Sequence, residues 1–250
     1  MSNISEVVIV GDNLLAKALY EASRQSSFRV HLNDVGELRH ADLIIETENK
    51  DRDLKKETIQ KIESSIDAET TILSTSLRLP ATEIASWLDH SERLVGFGTF
   101  ANLNDIELIE IARALQTDPS HIRVVEEFFQ SLGKETEEVE DEVGLVFPRI
   151  LCMIINEAAF ALTEKTANVR DIDEAMKKGT NYPHGPLEWA EKIGLEDVYA
   201  VLQGLFEQLG EDRYRPAPLI RKLIYAGWTG AETEKGFYYY EDRLRGEVMT

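Results

Sequence analysis

The sequence predicts a mostly parallel α/β sheet domain followed by an all-helical domain, and three observations predict it. Over residues 1–143 short apolar runs alternate with amphipathic stretches, the pattern of strands joined by helical crossovers. Over residues 144–250 the apolar positions recur at helical spacing instead. At the start, Val7-Val8-Ile9-Val10 leads into Gly11, and twenty-three residues later a second apolar run ends at Asp34. That is the layout of a dinucleotide-binding βαβ unit, so the sheet is expected to be Rossmann-like.

The elements follow in order. Val7 to Val10 reads as a strand, Leu14 to Ser23 as a helix, Phe28 to Leu32 and Leu43 to Ile45 as strands, and Lys55 to Ser64 as a charged helix. Thr71 to Ser74 reads as a strand, Ala81 to Trp87 as a helix, Leu94 to Phe97 as a strand, and Ile106 to Ile111 as a further apolar run. The acidic run Glu135 to Glu142 reads as a solvated connection between domains. Beyond it, Ile150, Leu151, Ile154, Ile155, Ala158 and Leu162 define a helix from Phe147 to Thr163. Asn168 is placed to cap the next helix, with Asp171 in its first turn and Gly179 closing it. Helical segments at Leu187 to Lys192, Leu195 to Leu209 and Leu219 to Tyr225 complete the second domain.

The cofactor fingerprint is incomplete. Where it asks for Gly-x-Gly-x-x-Gly or Ala, the chain reads Gly11-Asp12-Asn13-Leu14-Leu15-Ala16. Gly11 supplies the tight turn and Ala16 the close helix-on-sheet packing, but Asn13 puts a side chain where the backbone should approach a pyrophosphate. Asp12 adds negative charge where the phosphate would sit. Asp34 stands where an acid hydrogen-bonds the ribose 2′-hydroxyl, which favours NAD over NADP; a turn-forming Asp at a strand end is the other reading.

A formal charge of −19 excludes nucleic acid and anionic membrane as expected partners, and it also opposes an anionic cofactor. No apolar run reaches the length of a membrane span or forms a signal peptide, so a soluble, cytoplasmic protein is expected. The single cysteine, Cys152, fits a reducing compartment and excludes a cysteine zinc site; no metal is expected.

Particular stretches carry a resemblance. Asp171-Ile172-Asp173-Glu174-Ala175-Met176-Lys177-Lys178-Gly179, Tyr182-Pro183-His184-Gly185-Pro186-Leu187-Glu188, Ile193-Gly194-Leu195 and Gly236-Phe237-Tyr238 are similar to the C-terminal domain of NAD-dependent 3-hydroxyacyl-CoA (3-hydroxybutyryl-CoA) dehydrogenases. Ala41-Asp42-Leu43-Ile44-Ile45-Glu46 and Arg93-Leu94-Val95-Gly96 resemble strand segments of the same family. The resemblance is colinear over nearly the whole chain. It implies a Rossmann-like domain, a helical dimerisation domain, and fatty-acid or butanoate metabolism. The implied chemistry passes hydride between a carbinol carbon and nicotinamide while a His, oriented by a Glu and assisted by a Ser and an Asn, acts as base.

This chain departs from that pattern at most of those positions. The His of the family's His-Phe-Phe-Asn-Pro segment falls on Gly98, the orienting Glu on Glu110, the Ser on Leu77 with Ser76 one residue away, and the Asn on Pro148. No histidine lies between His90 and His121. His184, in a turn that the family places toward the cleft between its domains, is a substitute base or a surface histidine. Only six residues separate Asp34 from Ala41, where the family inserts a helical excursion over the coenzyme A portion, so the member is divergent and shortened.

Three expectations follow. The first is a family member with an eroded site, a pseudoenzyme that retains a binding or subunit role, with NAD bound weakly or not at all. The second is an active NAD-dependent dehydrogenase of an acyl-CoA-like molecule, or a reductase of a related small oxo compound, using Glu110, His184 and a displaced Ser76. The third is another ligand or reaction in the same cleft. A homodimer through the helical domain, or pairing with an active homologue, accompanies them.

Overall fold

A computed structural model describes residues 4–230 and 232–245 of the chain. It divides into two compact units, Met1–Pro148 and Arg149–Thr250, a few residues beyond the change of pattern placed at 143.

The first unit is a seven-stranded sheet in the order β2-β1-β3-β4-β5-β6-β7. Its elements are β1 (Glu6–Val10), α1 (Leu14–Ser23), β2 (Arg29–Leu32), β3 (Leu43–Glu46), α2 (Arg52–Glu63), β4 (Thr71–Thr75), α3 (Ala81–Ala85), β5 (Leu94–Gly98), β6 (Leu108–Arg113), α4 (Pro119–Ser131) and β7 (Glu135–Val139). All neighbours run parallel except β5 and β6. Successive side chains point to opposite faces, and both faces are covered. Val7, Ile9, Leu43, Ile45, Leu73, Val95 and Phe97 pack against α1 and α4. Val8, Ile44, Ile72 and Leu94 pack with Ile59, Ile62 and Ile84 of α2 and α3. Burial on both sides explains why these strands read as continuous apolar runs.

Two elements of this unit differ from the sequence expectation. The acidic run is no loose connection: Glu135–Val139 forms β7, parallel to β6, with Glu138 accepting from Arg113 Nε at 2.9 Å. An edge strand open to water needs no apolar alternation, and its charges protect the free edge. Helix α4 was not anticipated. Its signals were present: Asp118 accepts the Ser120 N–H at 2.8 Å, Pro119 opens the helix, and Ile122, Val125, Phe128 and Phe129 form the buried face.

The second unit is helical: α5 (Phe147–Thr163), α6 (Val169–Thr180), α7 (Pro186–Ile193), α8 (Leu195–Leu209), α9 (Pro218–Tyr225) and α10 (Phe237–Arg245). Asn168 caps α6 as expected, accepting the Asp171 N–H at 2.9 Å. Gly179 does not close that helix; it continues to Thr180, and Asn181 takes the left-handed position at φ 59°.

A buried acid and a half-buried one tie α10 into this unit. Asp173 accepts the Leu187 and Glu188 amides at 2.8 and 2.9 Å and the Tyr238 hydroxyl at 2.5 Å. Glu191 accepts the Tyr238 N–H at 3.0 Å. Burial raises both carboxyls above their ordinary values, and burial together with the bond to Asp173 raises the Tyr238 hydroxyl.

Tyr238→Phe removes the hydroxyl donor from a buried carboxylate and is expected to destabilise the protein by about 1–3 kcal/mol in urea unfolding. The raised Glu191 carboxyl gives a signed pH effect. Its stabilising contribution is complete below the ordinary value of 4.5 and is lost as pH rises through the folded value. Wild type is therefore expected to lose stability relative to Glu191→Gln as pH rises above the ordinary carboxyl value of 4.5, read from urea midpoints.

Candidate functional site

The loop from β1 into α1 is closed by its own side chains. Gly11 has φ +154°, and a Cβ there would lie 2.0 Å from Thr47 Oγ1, so only glycine fits. Asn33, at φ 56°, brackets it: Asn33 Oδ1 accepts the Gly11 N–H at 2.9 Å and Asn33 Nδ2 donates to the Gly11 carbonyl at 2.8 Å. Asn13 is the N-cap of α1. Its Oδ1 accepts the Ala16 N–H at 2.9 Å and the Thr47 hydroxyl at 3.1 Å, while its Nδ2 donates to the Thr47 carbonyl at 2.5 Å. The side chain is buried, and it supplies the cap oxygen at the helix terminus where a cofactor phosphate could otherwise accept. Ala16 lies on the buried face of α1, and Asp12 is exposed.

Beside this loop lies a cavity of about 220 Å³ lined by Val10, Asp34, Val35, Leu38, Lys61 and Ile62. Asp34 is exposed at its mouth, with Oδ1 accepting the Gly36 N–H at 3.0 Å. An apolar slot with a carboxylate at its rim fits the adenosine end of NAD. The residues present therefore fit that half of the cofactor, while Asn13 narrows the approach of the pyrophosphate.

A buried ion pair, missed in the sequence, lies at the carboxyl ends of the strands. Glu46 ends β3 fully buried and accepts from Lys55 Nζ of α2 at 2.6 Å and from the Ser74 hydroxyl at 2.6 Å. Lys55 also donates to the Glu48 carbonyl at 2.8 Å and Thr75 Oγ1 at 3.0 Å. Burial lowers the Lys55 ammonium, and Glu46 opposes that shift. An acid closing the apolar run Leu43-Ile44-Ile45, with a lysine in the following helix, was the available signal.

The positions singled out for proton chemistry can now be located. Gly98 of β5 pairs directly with Glu110 of the antiparallel β6, so the register sets the two face to face. No imidazole meets the carboxylate. A Cβ on Gly98 would already lie 2.8 Å from Leu145 Cδ1, because Leu145, at φ 50°, lies over the glycine. Glu110 is buried and accepts the Val146 N–H at 2.8 Å and the Phe147 N–H at 2.7 Å, both of its oxygens engaged where α5 begins. Leu77 and Pro148 are buried and carry no polar side-chain atom. Ser76 is fully buried, its Oγ close to Gly96 and without a hydrogen-bond partner among the described residues.

His184 lies in the second unit just before α7. Its Nδ1 is 3.1 Å from Glu188 Oε1 and its Nε2 3.0 Å from Lys192 Nζ, with Trp189 edge-on at 5.9 Å. Lys192 can only donate, which makes Nε2 the acceptor and leaves the ring proton on Nδ1 facing Glu188. Cys152 is buried, and burial pushes its thiol well above the ordinary value, which makes it inert.

Known proteins place this arrangement. Residues 13–142 match the family model described as 3-hydroxyacyl-CoA dehydrogenase, NAD binding domain, and residues 144–240 match 3-hydroxyacyl-CoA dehydrogenase, C-terminal domain. A 3-hydroxybutyryl-CoA dehydrogenase of Bradyrhizobium diazoefficiens is 36% identical over 204 residues, 82% of this chain and 70% of its own length. A probable 3-hydroxybutyryl-CoA dehydrogenase of Bacillus subtilis is 35% identical, covering 83% and 72%. The crystal structure of (S)-3-hydroxybutyryl-CoA dehydrogenase PaaH1 from Ralstonia eutropha shares the fold with a TM-score of 0.74 and 27% identity, covering 94% of this chain and 98% of that one. The chain belongs to the 3-hydroxyacyl-CoA dehydrogenase family. Its first unit carries that family's NAD-binding domain, and no described helix is long and apolar enough to cross a membrane.

Lys55→Met strands Glu46 as a buried charge and is expected to cost about 3–5 kcal/mol in urea unfolding. Adding Glu46→Gln removes the stranded charge, so the double variant is expected to recover most of that loss.

Proposed function

We propose that this chain is a 3-hydroxyacyl-CoA dehydrogenase-family protein whose dehydrogenase chemistry is weak or lost, and that it keeps a binding or subunit role. One observation carries the reading: Gly98 stands across from Glu110, and the Glu110 carboxylate is occupied by two backbone amides. NAD, when bound, supplies the hydride acceptor. Asp34, Val10, Leu38 and Ile62 would hold its adenosine end, and Asn13 opposes close approach of the pyrophosphate. What is lacking is a group beside the substrate hydroxyl to take its proton, and general acid–base catalysis contributes typically about 10²–10⁴-fold. The buried Leu77 and Pro148 offer no side-chain donor in place of the Ser and Asn.

A second reading is favoured by the relatives' names, which are those of a 3-hydroxybutyryl-CoA dehydrogenase and a probable one. It asks His184 to act as base, Ser76 to assist and Glu110 to orient. Against it, Ser76 is fully buried, and the contacts of Glu110 and His184 already serve local structure. Another ligand or reaction is left to the case in which NADH does not bind but an acyl-CoA does.

The proposed reading includes a cytoplasmic homodimer through the helical unit, or pairing there with an active homologue. Its support is an apolar strip on α5, where Ile150 is 55% exposed and Met153 and Ile154 are half-buried. A sedimentation experiment is expected to show a dimer; a stable monomer at high concentration contradicts it.

NADH titration followed by fluorescence is expected to show weak binding without saturation at low micromolar cofactor. Oxidation of 3-hydroxybutyryl-CoA with NAD and reduction of acetoacetyl-CoA with NADH are expected to be at or near background, and unchanged in His184→Ala. Robust turnover that disappears in His184→Ala favours the second reading.

A further inference from the structure

The structure carries a second cluster of ligating side chains, away from the cofactor loop, at the β1–β2 edge of the sheet. Glu6 of β1 and His31 of β2 share one face of the sheet, because Glu6 pairs with Arg29 and Val8 with His31 in the parallel register. His31 Nε2 lies 2.5 Å from Glu6 Oε1. Glu37, in the turn after β2, brings a second carboxylate, and the three ligand atoms all lie within 4.8 Å of one another.

We infer that Glu6, His31 and Glu37 form a binding site for a divalent transition-metal ion of the Zn²⁺, Co²⁺ or Ni²⁺ class. One imidazole nitrogen and two carboxylate oxygens suit these ions, and the set has too few oxygens for Ca²⁺. The Glu6 side chain is only 6% exposed, so one ligand is fixed by the sheet, while His31 at 27% exposure leaves an entry path. Electrostatics favour a cation here. Two carboxylates converge, and a permanent positive charge beside them is Arg29, whose Nη2 lies 2.7 Å from Glu6 Oε2. That side chain is 78% exposed, and it can turn into water when a dication takes its place. The expectation of no metal rested on cysteine count. These ligands come from two strands and a turn, twenty-five and six residues apart in sequence, a spacing that no linear motif displays. Bound metal would tie the edge strand β2 to β1 and hold the turn that carries Asp34.

The test uses the tag-free 250-residue chain stripped with a chelator and then dialysed. Zn²⁺ titration by calorimetry is expected to show one equivalent bound, accompanied by a rise in melting temperature. Co²⁺ is expected to give visible absorption bands of a low-coordinate site. Both signals are expected to be lost in His31→Ala and in Glu37→Gln. The latter alters a half-buried turn residue and keeps the fold, so loss of binding there cannot be put down to unfolding. Arg29→Gln removes the competing cation and is expected to tighten binding several-fold. Absence of stoichiometric binding in wild type, or binding that survives either ligand substitution, overturns the assignment.

Discussion

A buried carboxylate must be satisfied, and the segment leading into α5 depends on how Glu110 is satisfied. The antiparallel pairing of β5 with β6 sets Gly98 against Glu110. With no side chain on Gly98, Leu145 fills the space over the glycine and the carboxylate turns to the amides of Val146 and Phe147. Two charge-assisted bonds hold the start of α5. The position that the resemblance gives an orienting role thus has a structural one, and under the proposed reading it needs no imidazole.

The same substitution of internal for external partners recurs at the cofactor loop. The N-terminus of α1 would offer its amides to a phosphate, but Asn13 reaches Ala16 N–H itself and is locked to Thr47 by two further bonds. The slot beside Asp34 is untouched by that change. The slot beside Asp34 fits the adenosine end of the family's cofactor, while under the proposed reading the phosphate and proton-transfer positions are taken by the protein's own groups.

Much of the architecture was legible in sequence because burial on both sheet faces writes long apolar runs, and because α1, α5 and α8 carry strong helical periodicity. The failures have physical causes. β7 is an edge strand whose glutamates face water, so it lacks the apolar pattern that marks a strand. The close of α6 passed over Gly179 because Asn181 also tolerates the left-handed conformation. At the site, the residues that stand where the resemblance implies a His, a Ser and an Asn, Gly98, Leu77 and Pro148, are legible in the sequence one by one. The Leu145 contact, the double acceptance by Glu110, and the Asn13–Thr47 bonds depend on groups brought together from distant segments. The burial of Ser76 likewise follows from tertiary packing.

The most direct test of this account is amide hydrogen exchange at Val146 and Phe147. If Glu110 is a structural acceptor, both amides are protected in the wild-type protein, and Glu110→Ala removes that protection while the amides of β1 and β3 remain slow. Rapid exchange of both amides in the wild type would mean that the carboxylate is free of them, and would contradict the account.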